Sequence, residues 1–121
     1  MVNGALRSTT TFVCGLGAVA LLGLAGPAAA EPDAKIQRTW KAKCASCHGA
    51  DGKGATEMGK KLAIPDMSAA DWQKQTGDDL IKKAINDGIK REGKAEGMDS
   101  FKEKLTPEQI DGLAALVRGL K

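Results

Sequence analysis

Tyrosine is absent from this chain of 121 residues, and its only aromatic side chains besides histidine are Phe12, Trp40, Trp72 and Phe101. A single domain of this size with so few large rings has a thin core of its own. Histidine occurs once, at His48, and cysteine three times, at Cys14, Cys44 and Cys47. That scarcity excludes a structural zinc site, which takes four ligands and usually two Cys or His pairs. Charge of one sign is missing as well: 18 Lys and Arg stand against 15 Asp and Glu, too balanced for a surface that binds nucleic acid. The chain contains no internal repeat, no low-complexity tract and no segment that alternates like a strand.

The first thirty residues differ in kind from the rest. One charge, Arg7, precedes a weakly polar to apolar run from Thr9 to Ala25, and "GPAAAE" follows. Ala28 and Ala30 supply the small residues read by signal peptidase, so residues 1–30 are expected to be a cleaved signal peptide and 31–121 the mature domain, periplasmic or otherwise exported. The alternative is an uncleaved anchor, because Val13 to Ala25 extends toward the ~20 residues of a membrane span despite its glycines. Residues 31–121 hold no such run, so no membrane span is expected in the mature chain. Cys14, in "TFVC", has none of the surroundings of a lipoprotein site and reads as an ordinary apolar residue. Removing the segment leaves 17 basic against 15 acidic side chains, or +2. It also leaves only Cys44 and Cys47, in a compartment where thiols are oxidised, metal-bound or covalently used.

Three helices are expected in the mature chain. Ile36, Trp40 and Cys44 fall at i, i+4, i+8 and predict a helix from about Asp33 to Ser46. "TGDDLIKKAINDG" predicts a second, with Asp78 and Asp79 at its positive end, Leu80, Ile81, Ala84 and Ile85 facing inward, and Gly88 as its stop. The last has the fullest signals: Thr106 as N-cap, Pro107 in the first helical position, Gln109 at the capping-box spacing, and a stripe of Ile110, Leu113, Leu116, Val117 and Leu120. Residues 49–67 and 89–100 are glycine-bearing and polar and predict loops, with a turn or two of helix within "TEMGKKL".

"KCASCHGADGKG", residues 43–54, gathers the only histidine and two cysteines. A redox dithiol would stand between a strand and a helix in an alternating pattern, whereas this C-x-x-C ends a helix in an all-helical chain. The C-x-x-C-H order is instead the attachment signature of haem c: Cys44 and Cys47 add across the two vinyl groups and His48 becomes the proximal iron ligand. A large flat apolar cofactor also accounts for the thin core.

With "CASCH", the "GADGKG" loop, a proline-bearing loop, a middle helix, a methionine loop and a C-terminal helix, the mature chain resembles class I c-type cytochromes of the small bacterial periplasmic kind. The resemblance implies an all-α cytochrome c fold, three to five helices around one covalently attached haem. It implies a sixth ligand in a loop before the last helix with an aromatic residue three positions on, which is Met98 with Phe101 in "GMDSFKEKLTPEQI"; Met67 is the next candidate and Met58 the last. Asp99 departs from the proline that commonly follows the ligand. The resemblance also implies a carbonyl acceptor for the proximal imidazole at Pro65, whose plainer reading is a turn proline. Trp40 is expected where the first helix crosses the last, opposite Leu113 and Leu116, and Trp72 either beside the haem or in the core.

His and Met ligation leaves iron no open site, so the expected function is outer-sphere electron transfer by a soluble carrier, without catalysis, to redox partner proteins such as a haem-containing oxidase, reductase or dehydrogenase. Lys41, Lys43, Lys53, Lys60 and Lys61 gather around the motif, either steering an acidic partner or simply solvated. Competing readings are a ligand-binding or peroxidase-like haem protein with a displaceable sixth ligand, and a haem subunit docked to an oxidase or dehydrogenase.

Overall fold

Helices form where the sequence supplies caps and an apolar stripe, and the computed structural model describes them over residues 33–93 and 97–121. The expected signal segment lies outside the described residues. α1 spans Ala34–Lys43, α2 Ala45–His48, α3 Glu57–Lys61, α4 Ala70–Gln75, α5 Asp78–Asp87 and α6 Pro107–Arg118. No strand occurs among the described residues, only an isolated antiparallel bridge between Ile89 and Met98. The protein is all-α. Its six helical segments become five when α1 and α2 are taken as one helix interrupted at Cys44, the cap shared by both.

α6 has the expected start: Thr106 accepts from the Gln109 amide, Gln109 returns the bond to the Thr106 amide, and Pro107 opens the helix. Its stripe of Ile110, Leu113, Leu116 and Val117 is buried and packs with Ile36 and Trp40 of α1 and with Ile81 and Ile85 of α5. α1 packs close against α6 at Gly112, where an added Cβ would come within 2.7 Å of Ile36 Cδ1. A small residue there lets the backbones cross, so Ile36 rather than Trp40 fills the notch. Leu80, expected to face inward, is 58% exposed, because the inward face of α5 is taken by Ile81 and Ile85 one turn apart.

α4 has no counterpart in the sequence reading. It has six residues, no side-chain cap and no buried stripe, so local pattern is silent. Tertiary bonds hold it instead. Gln73 Nε2 donates to the carbonyls of Met67 and Val117, and Arg118 Nη1 donates to the Gln73 and Thr76 carbonyls while its Nε pairs with Asp78 at 2.9 Å. Trp72 on α4 packs against the core and does not line the cavity described next.

Candidate haem site

α1 ends because Cys44 caps it, its amide bonded to the Trp40 carbonyl, and the chain then makes one further turn that carries Cys47 and His48. Gly49, at φ 82, breaks the turn, and the Gly54 amide closes the following loop onto the His48 carbonyl at 2.8 Å. Thr56 secures this arrangement from the other side. Its hydroxyl donates to the Cys47 carbonyl at 2.8 Å and accepts from the Gly59 amide at 2.8 Å, capping α3 and tying it to the motif. α3 comes this close because residue 59 is glycine: an added Cβ would lie 2.7 Å from the Cys47 carbonyl oxygen and also strike that of Gly54.

A cavity of about 350 Å³ opens beside the motif. Cys44, Ser46, Cys47 and His48 form one wall; Leu62, Ile64 and Pro65 form a second; Ile89, Met98 and Phe101 form the third, with Lys43, Arg91 and Asp99 also lining the space. Cys44, Cys47, His48, Pro65 and Met98, separated by up to 54 positions in sequence, therefore face one space. Met67 is buried in the core and Met58, on α3, is 42% exposed, and neither lines the cavity.

Met98 is delivered by a short antiparallel return rather than by an unstructured loop. Ile89 and Met98 exchange both backbone hydrogen bonds, at 2.9 and 3.0 Å. Glycines make the pairing feasible: a Cβ at Gly88 would strike the Met98 carbonyl, and one at Gly97 the Ile89 carbonyl. Beyond Met98, the Phe101 amide bonds the Ile85 carbonyl and the Lys102 amide and Ser100 hydroxyl bond that of Asn86, which satisfies carbonyls at the end of α5.

Electrostatics distinguish the chemical readings of the dithiol. Burial pushes the Cys44 thiol up to about 11; Lys43 pulls in the opposite direction and Cys47 adds to the rise. A redox-active thiol needs the reverse, a depressed pKa. Burial also holds the His48 imidazole below its ordinary pKa, so the neutral, metal-binding form persists to lower pH than for an exposed histidine. Its Nδ1 is buried without a hydrogen-bond partner, as is Trp40 Nε1, and the two rings lie 5.9 Å apart. Pro65, expected to offer its carbonyl to this imidazole, lines the same cavity, and its loop is held where the Met67 amide meets the Gly52 carbonyl at 3.0 Å.

These features fit a haem. The apolar walls suit a macrocycle, two free cysteines face it, and a neutral histidine with an unsatisfied buried nitrogen stands beside them. Among the described residues no group of three or more His, Cys, Asp or Glu side chains is placed to hold a bare metal ion. A cofactor that brings most of its own metal ligands matches so small a donor set.

Sequence reasoning did not find Thr56, Ile89 or Arg91. The signal for Thr56 was present, a Thr-Glu pair after a glycine-rich loop. That for the return was the pair of glycines flanking it.

Similar proteins agree with the site. Kustc0563, a c-type cytochrome of solved structure, superposes with a TM-score of 0.62 at 39% identity, over 70% of this chain and 95% of that one. A mutant of Kustc0563 gives 0.59 at 40% identity, over 71% and 98%. The fold and family define a class I c-type cytochrome, a haem protein of electron transport. More narrowly, the chain belongs to the family described as cytochrome c oxidase, cbb3-type, subunit III, whose model matches residues 31–117. A curated relative, the cbb3-type cytochrome c oxidase subunit FixP of Rhizobium etli, is 45% identical over 42 residues, 35% of this chain and 13% of FixP. No helix among the described residues is long and apolar enough to cross a membrane.

Proposed function

We propose that the protein is an exported, soluble one-electron carrier with a single haem c, joined by thioether bonds to Cys44 and Cys47 and ligated by His48 and Met98. The observation that carries this reading is that one apolar cavity is lined by the C-x-x-C-H side chains from α2 and, from the opposite return, by the only cavity-facing methionine of the described residues. Bound haem supplies a metal centre that cycles between ferrous and ferric states. The chain supplies the rest. Cys44 and Cys47 fix one edge of the macrocycle, His48 offers a neutral imidazole, and Met98 offers a thioether, which favours the ferrous state and raises the potential. Leu62, Ile64 and Phe101, which line the cavity, would keep water from the ring, and with His48 and Met98 both committed to the iron no ligand position would remain for a substrate. Exposed Lys41, Lys43, Lys53 and Lys60 surround the motif and favour approach to an acidic partner.

Absorption spectroscopy of the purified protein tests the ligand set. The weak far-red band that sulfur ligation gives ferric haem is expected, together with failure of the ferrous form to bind carbon monoxide. Ready carbon monoxide binding without that band would make it a haem protein with an open sixth site instead. A second reading, a haem subunit docked to an oxidase, draws support from the family match and the FixP relative. Comigration with oxidase activity on native gels of membrane extract would favour it over the free carrier.

A further inference from the structure

We propose that Gln73 is a positioning residue for the cavity wall formed by Leu62, Ile64 and Pro65, holding that wall closed over the haem, an inference that rests on the haem reading above. The wall is fastened at both ends. At its start the Ile64 amide bonds the Gly59 carbonyl at 2.8 Å. At its end Met67 is held through both backbone groups, its amide on the Gly52 carbonyl at 3.0 Å and its carbonyl on Gln73 Nε2 at 2.6 Å. Pro65, between them, has no amide of its own to bond. The same Nε2 reaches the Val117 carbonyl at 2.9 Å, so one side-chain amide fastens the end of the wall to the last turns of α6, where Val117 is 2% exposed.

Only an amide turned this way fits. Nε2 carries two hydrogens and meets two carbonyls, while Oε1 accepts from Arg118 Nη1 at 3.0 Å; the reversed amide would set oxygen against oxygen on one side and N–H against guanidinium on the other. Arg118 is fixed in turn by Asp78 at 2.9 Å. α4 keeps a second fastening without the Gln73 side chain, because Arg118 Nη1 also bonds the backbone carbonyls of Gln73 and Thr76, at 2.7 and 3.1 Å. What the side chain adds is the link to Met67. With that link lost, the end of the wall hangs on one bond to a glycine-bearing loop, and water gains access to the ring behind it. Water stabilises the extra positive charge of ferric over ferrous haem, so a looser wall lowers the midpoint potential.

The test is potentiometric titration of the holoprotein together with amide hydrogen exchange. Gln73→Met keeps the length of the side chain and removes both donors. Its midpoint potential is expected to fall and the protection of the Met67 amide to drop about tenfold, the equivalent of one hydrogen bond, while the far-red band persists. Thr106→Ala removes the α6 cap at a similar cost in stability but does not line the cavity, and its potential is expected to stay at the wild-type value. If Gln73→Met does not load haem, Gln73→Asn, which keeps the donor one methylene short of its carbonyls, decides by a fall in the same direction. An unchanged potential in the Gln73 variant that loads haem, or an equal fall in Thr106→Ala, would overturn the assignment and leave the haem reading intact. A wild-type chain that carries no haem would instead overturn that reading, and this inference with it.

Discussion

Met98 and Met67 stand 31 positions apart, each in a loop, yet their surroundings give them different work. Met98 lines the cavity and Met67 is buried in the core, its amide bonded to Gly52 and its carbonyl to Gln73. Met98→Ala is therefore expected to leave the haem attached, abolish the far-red band, admit carbon monoxide and lower the potential, with little loss of fold stability. Met67→Ala should keep the band and cost about 2–5 kcal/mol in denaturant melts, as large-to-small core changes do. An exchange of these two outcomes would reassign the ligand. At this scale the sequence was most legible where chemistry demands adjacency, as in Cys44, Cys47 and His48, whose spacing is itself the signal. It was less legible for Thr56, because its tie to the Cys47 carbonyl joins residues nine positions apart that no local pattern pairs.

The return that carries Met98 depends on its glycines more than on its side chains. Gly88, at φ 75 and ψ -179, adopts a conformation essentially closed to other residues and sits against the Met98 carbonyl. Gly88→Ala is expected to cost roughly 1–3 kcal/mol from backbone strain alone. It should also weaken the far-red band at denaturant concentrations where circular dichroism still reports a folded chain; simultaneous loss of both signals would mean that the return is not a separate unit. Thr56→Val removes a cap and the bond to Cys47 together and should cost about 1–2 kcal/mol by urea melting, with the haem retained. A variant as stable as the wild type would show that the Thr56 tie is incidental. Among the elements, α6 and α1 were legible because caps and a 3.6-residue stripe write them into the chain. α4 was not, since its six residues are held by Gln73 and Arg118 reaching across to partners more than 40 positions away. Leu80 misled for a related reason: a periodic stripe says which face is apolar, not how much of it a neighbour covers.

For the whole molecule, a thin core and a large apolar cavity are two sides of one design, in which the cofactor completes the interior that the side chains leave open. The lysines beside the motif give that design a direction. If they steer the protein, the rate of electron transfer to an acidic partner should fall as salt rises, and replacing Lys53 and Lys60 by Gln should flatten that dependence; a rate indifferent to salt in the wild type would assign these lysines to solvation alone. The family to which residues 31–117 belong sets the broad role, but the central claim is the thioether link between this chain and one haem. Acid-acetone extraction of the purified protein followed by intact-mass measurement tests it most directly. The expected result is a colourless organic layer and a polypeptide beginning at Glu31 that carries the mass of one haem; a coloured organic layer and a polypeptide of bare chain mass would contradict it.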